Sequence, residues 1–358
     1  MSEDDGFAAA LGFVLAGLSV ASGFIRWTDL VAVGPVESLP GVALGLLAFL
    51  GFAARRYGAT DRRFSLLAAL GSGGLAAAAT VAALHPSAMG AAGVGPGLPL
   101  AFVLGVLGLG VAVADYLGQD RQAVLVRGHA ASTAFFVGFT GLLVGFGVWT
   151  LAIVLVGESE AVLRNGVATV AFSVGLGLVA AGYIHLTARD WSFIDLGWPN
   201  TRGWLYVIGG TLGMFAVLVV SGWITGLLGI PSAEHGIIEA SQDTPALLLV
   251  FVPLSWLAIG PGEELLSRNI VQKHLYDSFS RPAAVLVGTM VFTAIHLPAY
   301  ATGPPPAIFA TLLRLFAISL VLGVVYERTE NVVVPALVHG TYNAVQFAVA
   351  YLLAAGLV

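Results

Sequence analysis

The sequence of 358 residues contains no cysteine, a single lysine and few charged residues of either sign. Without cysteine there is no disulfide, no thiol nucleophile and no cysteine metal site, so a metal would need His, Glu, Asp or Asn ligands. Charged residues make up only 10% of the chain and give a formal net charge of -5 without a basic patch. Nucleic acid is therefore not an expected partner.

Hydrophobic residues, by contrast, make up 58% of the chain, far more than soluble domains contain. A membrane-spanning helix needs about 20 consecutive apolar residues, and eleven runs approach that length. They cover residues 7–25, 39–54, 64–84, 98–114, 131–156, 166–186, 205–230, 246–260, 283–296, 307–326 and 332–353. This pattern predicts an all-α fold, a polytopic integral membrane helix bundle of about eleven transmembrane helices.

The loops predict an orientation and a division of the chain. Arginine is concentrated in the even-numbered loops, which by the positive-inside rule predicts a multi-pass protein of the cell membrane with a cytoplasmic N-terminus. Residues 188–204 carry three tryptophans beside charges, as expected of an interfacial linker. We therefore predict a six-span N-terminal region of unknown role over 1–187 and a five-span C-terminal region over 205–358.

Three ionisable residues, Glu263, Glu264 and Arg268, interrupt the apolar sequence of the C-terminal region. Such groups cost about 2.5 to 3.5 kcal/mol each at the centre of a membrane helix, so they indicate a functional site. On a helix, Glu264 and Arg268 share a face as an ion pair, and Glu263 points about 100° away. The preceding Gly260-Pro261-Gly262 predicts that a new helix begins there, with Glu263 ionised at its N-terminus. A purely structural ion pair between helices is the alternative.

Further polar residues follow at His296, at the end of the ninth run, and at His339 and Asn343, which are four residues apart in the eleventh. Counting about 1.5 Å per helical residue from the loops places Glu263 and these three in one layer of the membrane. A carboxylate and two imidazoles could activate a water or bind a divalent metal such as zinc, through Glu263, His296 and His339. Because His-Glu-x-x-His is absent, the chain is not a zincin.

Arg314 is a further basic residue within the tenth run. It could form an internal structural pair with Glu327, which we favour, or it could line a cavity.

In this order, Glu263-Glu264-x-x-x-Arg268, Phe292-x-x-x-His296 and His339-x-x-x-Asn343 resemble the three motifs of a known family. It is the CAAX protease and bacteriocin-processing (CPBP, or Abi) family of intramembrane endopeptidases, which includes the Ras-converting CAAX endopeptidase. The resemblance covers about 246–353 and leaves the first six spans unexplained. Asn269 stands where the family usually has glycine.

The resemblance implies a role for each matching residue. Glu263 corresponds to the carboxylate that activates water, and His296 to the imidazole that holds the water with it. His339 and Asn343 correspond to the pair that completes the site and stabilises the oxyanion. Glu264 and Arg268 correspond to the supporting ion pair.

The expected function is therefore hydrolysis of a peptide bond in a membrane-associated or lipidated, CAAX-type substrate. The expected partners are the lipid bilayer and a peptide or prenylated protein, and the oligomeric state is left open. Two other classes fit the same polar residues: an ion- or proton-coupled membrane carrier, and a catalytically silent scaffold or immunity protein. The absence of a recognisable inverted repeat speaks against the carrier.

Overall fold

The computed structural model describes residues 6–22, 39–84, 97–230, 241, 244–300 and 304–357. Within these ranges the chain forms eleven helices and no strands. They are α1 (Phe7–Ser22), α2 (Leu39–Arg56), α3 (Arg63–Leu84), α4 (Gly97–Tyr116), α5 (Arg121–Val156), α6 (Ala161–Leu186), α7 (Thr201–Leu227), α8 (Ala246–Leu275), α9 (Arg281–Ile295), α10 (Pro305–Thr329) and α11 (Val333–Ala354). The predicted all-α architecture with eleven helices is confirmed.

Seven of these helices are long and apolar enough to cross a membrane, namely α3 to α8 and α10. Large apolar side chains such as Leu151, Val154 and Leu212 are more than half exposed on their outer faces. Lipid can cover such faces, whereas water would disfavour them. The chain is therefore a multi-pass membrane protein. Its predicted N-terminal orientation stays a prediction.

The helices group into two compact units. The first comprises residues 1–128, 229–231 and 304–310, and the second comprises 129–228, 232–303 and 311–358. In the first unit Asp115 is buried and pairs with Arg55 at 2.8 Å, and it also accepts a hydrogen bond from Ser65. The second unit contains most of α5 together with α6 to α9, α11 and most of α10. The division of the chain at 188–204 stays a prediction.

Helix α8 is continuous through both of its prolines, so the predicted helix start at Gly260-Pro261-Gly262 is wrong. Two π-helical segments, Ser255–Ile259 and Leu265–Gln272, flank a short α-helical segment, Gly260–Glu264. Ile259, just before that segment, keeps helical dihedrals of φ -60° and ψ -62°. A π turn widens the helix and accommodates the missing N–H and the bulky ring of proline, which an α turn would not. Glu263 thus lies inside a helix and not at a free N-terminus.

The segment before α7 is held against the C-terminal half of α8. Asn269 accepts a hydrogen bond from the backbone N–H of Asp195 at 2.8 Å and donates one to the carbonyl of Phe193 at 3.1 Å. Lys273 pairs with the Asp195 carboxylate at 2.7 Å, and the Tyr326 hydroxyl donates to the same carboxylate at 2.6 Å. A glycine at position 269 could make neither of the two side-chain bonds. This residue therefore fixes the polar segment to the helix that carries the paired glutamates.

Candidate functional site

A cavity of about 630 Å³ lies within the second unit. Its wall is mostly apolar and comes from seven helices, α5 to α11, with residues such as Trp149, Phe172 and Met214. Its polar lining includes several hydroxyl and amide side chains. It also includes Glu263, His296, Tyr300, Arg314, His339, Tyr342 and Asn343. All four residues predicted to be catalytic thus line the same cavity.

Glu263 faces both imidazoles. Its Oε2 lies 3.4 Å from Nε2 of His296 and 4.0 Å from Nε2 of His339. The Nδ1 atom of His296 is 2.7 Å from the carbonyl oxygen of Phe292, which can only accept, so Nδ1 carries the proton there. In the neutral imidazole the lone pair is then on Nε2, directed at the carboxylate side of the cavity. The gaps between these atoms are too small for a water, so a water that contacts all three groups would lie on their cavity side.

Behind them, Glu264 joins two basic side chains in the interior. Its Oε2 accepts a hydrogen bond from Nε of Arg268 at 2.9 Å, and its Oε1 lies 2.9 Å from Nδ1 of His339. The side chains of both Glu264 and Arg268 are fully buried. The predicted ion pair between them is therefore present, and it also orients His339, since a carboxylate accepts and Nδ1 must donate. Helices α8 and α11 are tied together at this point.

Two further residues contact Arg268. Its second terminal nitrogen donates to the hydroxyl of Ser319 at 3.0 Å. Its guanidinium lies over the ring of Phe292 with 4.9 Å to the centroid, and the same ring lies 4.2 Å from that of His296. Phe292 therefore packs between the buried cation and the imidazole. The sequence motif contained Phe292 without indicating this contact, and nothing in the local sequence distinguishes Ser319 from other packing serines.

Close contact between the backbones of α8 and α11 depends on two glycines. A Cβ atom on Gly340 would lie 2.7 Å from the carbonyl oxygen of Ser255, and one on Gly260 would lie 2.6 Å from that of Ala336. Both distances are shorter than side chains tolerate, so only glycine fits at either position. Gly340 follows His339 directly, and Gly260 is four residues before Glu264. The glycines thus set the separation between these two side chains.

Arg314 does not pair with Glu327, so the favoured reading of its role is wrong. Glu327 pairs with its neighbour Arg328 at 3.1 Å, whereas Arg314 lines the cavity and donates from Nε to the hydroxyl of Ser221 at 2.8 Å. The reason is geometric. Thirteen residues of one helix separate the two by about 20 Å along the axis, far beyond side-chain reach.

The described residues do not form a complete metal site. Among the residues that the structure describes, no group of three His, Asp or Glu side chains is arranged to hold an ion. The Nδ1 atoms of His296 and His339 are both engaged, with Phe292 and Glu264 respectively, which leaves only Nε2 of each for a ligand role. Metal binding by Glu263, His296 and His339 stays a prediction.

The chain is thus a multi-pass helical membrane protein with carboxylates and imidazoles on the wall of one cavity. Residues 245–345 match the model of one such family, described as Rce1-like, type II CAAX prenyl endopeptidase Rce1-like. The matched segment contains all three motifs, so the predicted resemblance of this region to the CAAX protease family is confirmed. It supports CAAX-type intramembrane protease activity in general. No curated protein and no solved structure matches the chain.

Proposed function

We propose that the chain is an intramembrane endopeptidase in which Glu263 and His296 activate a water that hydrolyses a peptide bond. The observation that carries this proposal is the approach of the Glu263 carboxylate to Nε2 of both imidazoles, at 3.4 Å and 4.0 Å, on the wall of the cavity. A base must lie within hydrogen-bond reach of the proton that it removes, directly or through one water. A water bound by Glu263 and His296 satisfies this requirement.

The reaction can be followed atom by atom. Glu263 removes a proton from the water, and the oxygen attacks the carbonyl carbon of the scissile bond. The resulting oxyanion accepts hydrogen bonds from Nε2 of His339 and from the side-chain amide of Asn343. Glu263 then delivers its proton to the leaving nitrogen as the C–N bond breaks. The products are a carboxyl-terminated fragment and a free amine.

The contact with Glu264 supports the donor role of His339. Its Nδ1 lies 2.9 Å from the buried Glu264 carboxylate, which can only accept, so Nδ1 carries a proton. A second proton, on Nε2, lets His339 donate towards the cavity as an imidazolium, a charge that the adjacent carboxylate stabilises. Glu264 and Arg268 thus act as positioning residues for an imidazolium.

The cavity wall supports a membrane-associated substrate. Apolar side chains from seven helices surround the polar groups, so a lipidated or membrane-inserted peptide would enter with little desolvation cost. We propose a CAAX-type peptide, prenylated or not, as the substrate, reached from the cytoplasmic side in the predicted orientation.

The test is peptide cleavage by purified protein in nanodiscs, with a prenylated fluorogenic CAAX peptide and its unprenylated counterpart. Glu263→Gln should lower kcat/KM at least about 100-fold, since general-base catalysis contributes roughly 10² to 10⁴. The matched control is Glu327→Gln, which changes a glutamate of the same unit whose partner is an exposed arginine. We expect it to retain the wild-type rate. Equal cleavage by Glu263→Gln and wild type would remove the catalytic assignment.

A further inference from the structure

Gln272 is a fully buried amide on α8, four residues after Arg268. Its Nε2 donates to the carbonyl oxygen of Gly323 on α10 at 3.0 Å and to the hydroxyl of Tyr276 at 2.8 Å. A carbonyl oxygen can only accept, so this contact identifies the nitrogen of the amide and fixes the direction of its oxygen. That oxygen, Oε1, has no hydrogen-bond partner among the residues that the structure describes. A buried acceptor of this kind needs a further partner.

Arg268 directs a second unpartnered atom to the same place. Its Nε donates to Glu264 and its Nη2 to Ser319, whereas its Nη1 has no partner within the described part of the chain. A Cβ atom on Gly323 would lie 3.0 Å from Oε1 of Gln272 and 3.6 Å from Nη1 of Arg268. Both atoms belong to fully buried side chains. A donor and an acceptor without partners therefore face the same space beside Gly323.

The chemistry of this space selects its occupant. The methyl group of Val285 would lie 3.0 Å from the same Cβ position, so the space is small. The guanidinium of Arg268 would repel a cation, and the lone pairs of the Gln272 oxygen would repel an anion. A water can accept a hydrogen bond from Nη1 and donate one to Oε1. Buried waters commonly connect polar groups that lack protein partners.

We propose that a water bound beside Gly323 bridges Nη1 of Arg268 and Oε1 of Gln272, and that Gln272 is thereby a positioning residue for the buried ion pair. Arg268 holds Glu264, and Glu264 in turn orients His339. The water and Gln272 thus restrict the guanidinium from the side opposite to the site. This positioning role rests on the proposed function, whereas the water site itself does not.

The first experiment replaces Gly323 by alanine and by serine and measures kcat and KM with the fluorogenic peptide. Gly323→Ala puts a methyl group where the water binds, so kcat should fall about tenfold at unchanged KM, as expected for one lost hydrogen bond to a charged group. Gly323→Ser adds the same atom and a hydroxyl that can accept from Arg268 and donate to Gln272 in place of the water. We expect the serine variant to retain kcat within about threefold of wild type.

The control for this comparison is Gly213→Ala on α7, whose Cβ would meet Val321 of α10 at an ordinary 3.5 Å. It should keep the wild-type kcat. Because serine is larger than alanine, crowding alone would make Gly323→Ser no better than Gly323→Ala, and that result would overturn the positioning role.

The second experiment does not require activity. A cryo-EM structure of the wild type in nanodiscs, at a resolution that shows bound waters, should contain one within about 3.2 Å of both Nη1 and Oε1. The Gly323→Ala structure should lack it. A water at this place in a protein that cleaves no peptide would support the site and leave the proposed function to fail alone. A wild-type structure without it would overturn the inference, while cleavage itself can stand.

Discussion

The contact between α8 and α11 can be tested by adding one methyl group, in Gly340→Ala. Its Cβ would lie 2.7 Å from the carbonyl oxygen of Ser255, whereas ordinary contacts begin at 3.4 Å. The two helices must therefore separate by on the order of 0.7 Å, since backbone atoms cannot rotate away as a side chain can. A displacement of that size would stretch the bond between His339 and Glu264 from 2.9 Å to beyond hydrogen-bond range.

The expected magnitude follows from these two effects. Overpacking of a tight contact costs about 1 to 3 kcal/mol of stability. Loss of a hydrogen bond to a charged group costs about 1.5 to 3 kcal/mol, and misplacement of a catalytic group by about 1 Å can lower a rate roughly 100-fold. We expect Gly340→Ala to lower kcat/KM by about 10- to 100-fold and to lower the thermal denaturation temperature. Both can be measured on protein purified in the same nanodiscs.

Gly209→Ala is the matched control. Gly209 lies inside α7 in the same unit, and a Cβ at this position meets nothing within 4 Å. Alanine is favoured over glycine inside a helix by about 0.5 to 1 kcal/mol, so this variant should be as stable as wild type or slightly more so. If Gly340→Ala matches the control in both activity and denaturation temperature, the glycine contact does not set the position of His339.

Three further predictions concern the buried polar contacts. Glu264→Gln should lose about 3 to 5 kcal/mol of stability, because it leaves the fully buried Arg268 without its carboxylate, and chemical denaturation in detergent would measure the loss. Asn269→Gly should accelerate limited proteolysis near residue 193 by removing both side-chain bonds to that segment, and unchanged digestion would contradict this role. Asp115→Ala should lower the denaturation temperature by depriving the buried Arg55 of its partner, while the exposed Asp61→Ala should not.

Much of the fold follows from the length of the apolar runs, because a helix that satisfies its own backbone is the simplest structure across lipid. The residues at which the helices begin and end are harder to predict from the sequence. Helix α5 begins at Arg121, ten residues before the predicted run, since its polar first turns are good helix formers outside the apolar window. In α8 the rule that proline starts a helix gave the wrong boundary, because π turns accommodate Pro261 within a continuous helix.

Contacts within the site could be predicted from the sequence only where the two residues are close together in the chain. The spacing of Glu264 and Arg268 predicted their pair, because residues four apart meet on one helix face. The bond from Glu264 to His339 spans 75 residues and depends on how closely two helices approach, which no local pattern contains. The same holds for Arg314, whose partner Ser221 is 93 residues away on another helix.

Part of the cavity wall comes from outside the stretch of chain that carries the three motifs. Trp149 and Phe172, on α5 and α6, shape the cavity but lie outside the segment 245–345 that matches the family, whereas the glutamates and histidines lie inside it. A mutation in α5 or α6 can therefore reshape what the interior admits and leave the bonds among Glu264, Arg268 and His339 untouched. The segment that matches the family therefore does not by itself determine the shape of the cavity.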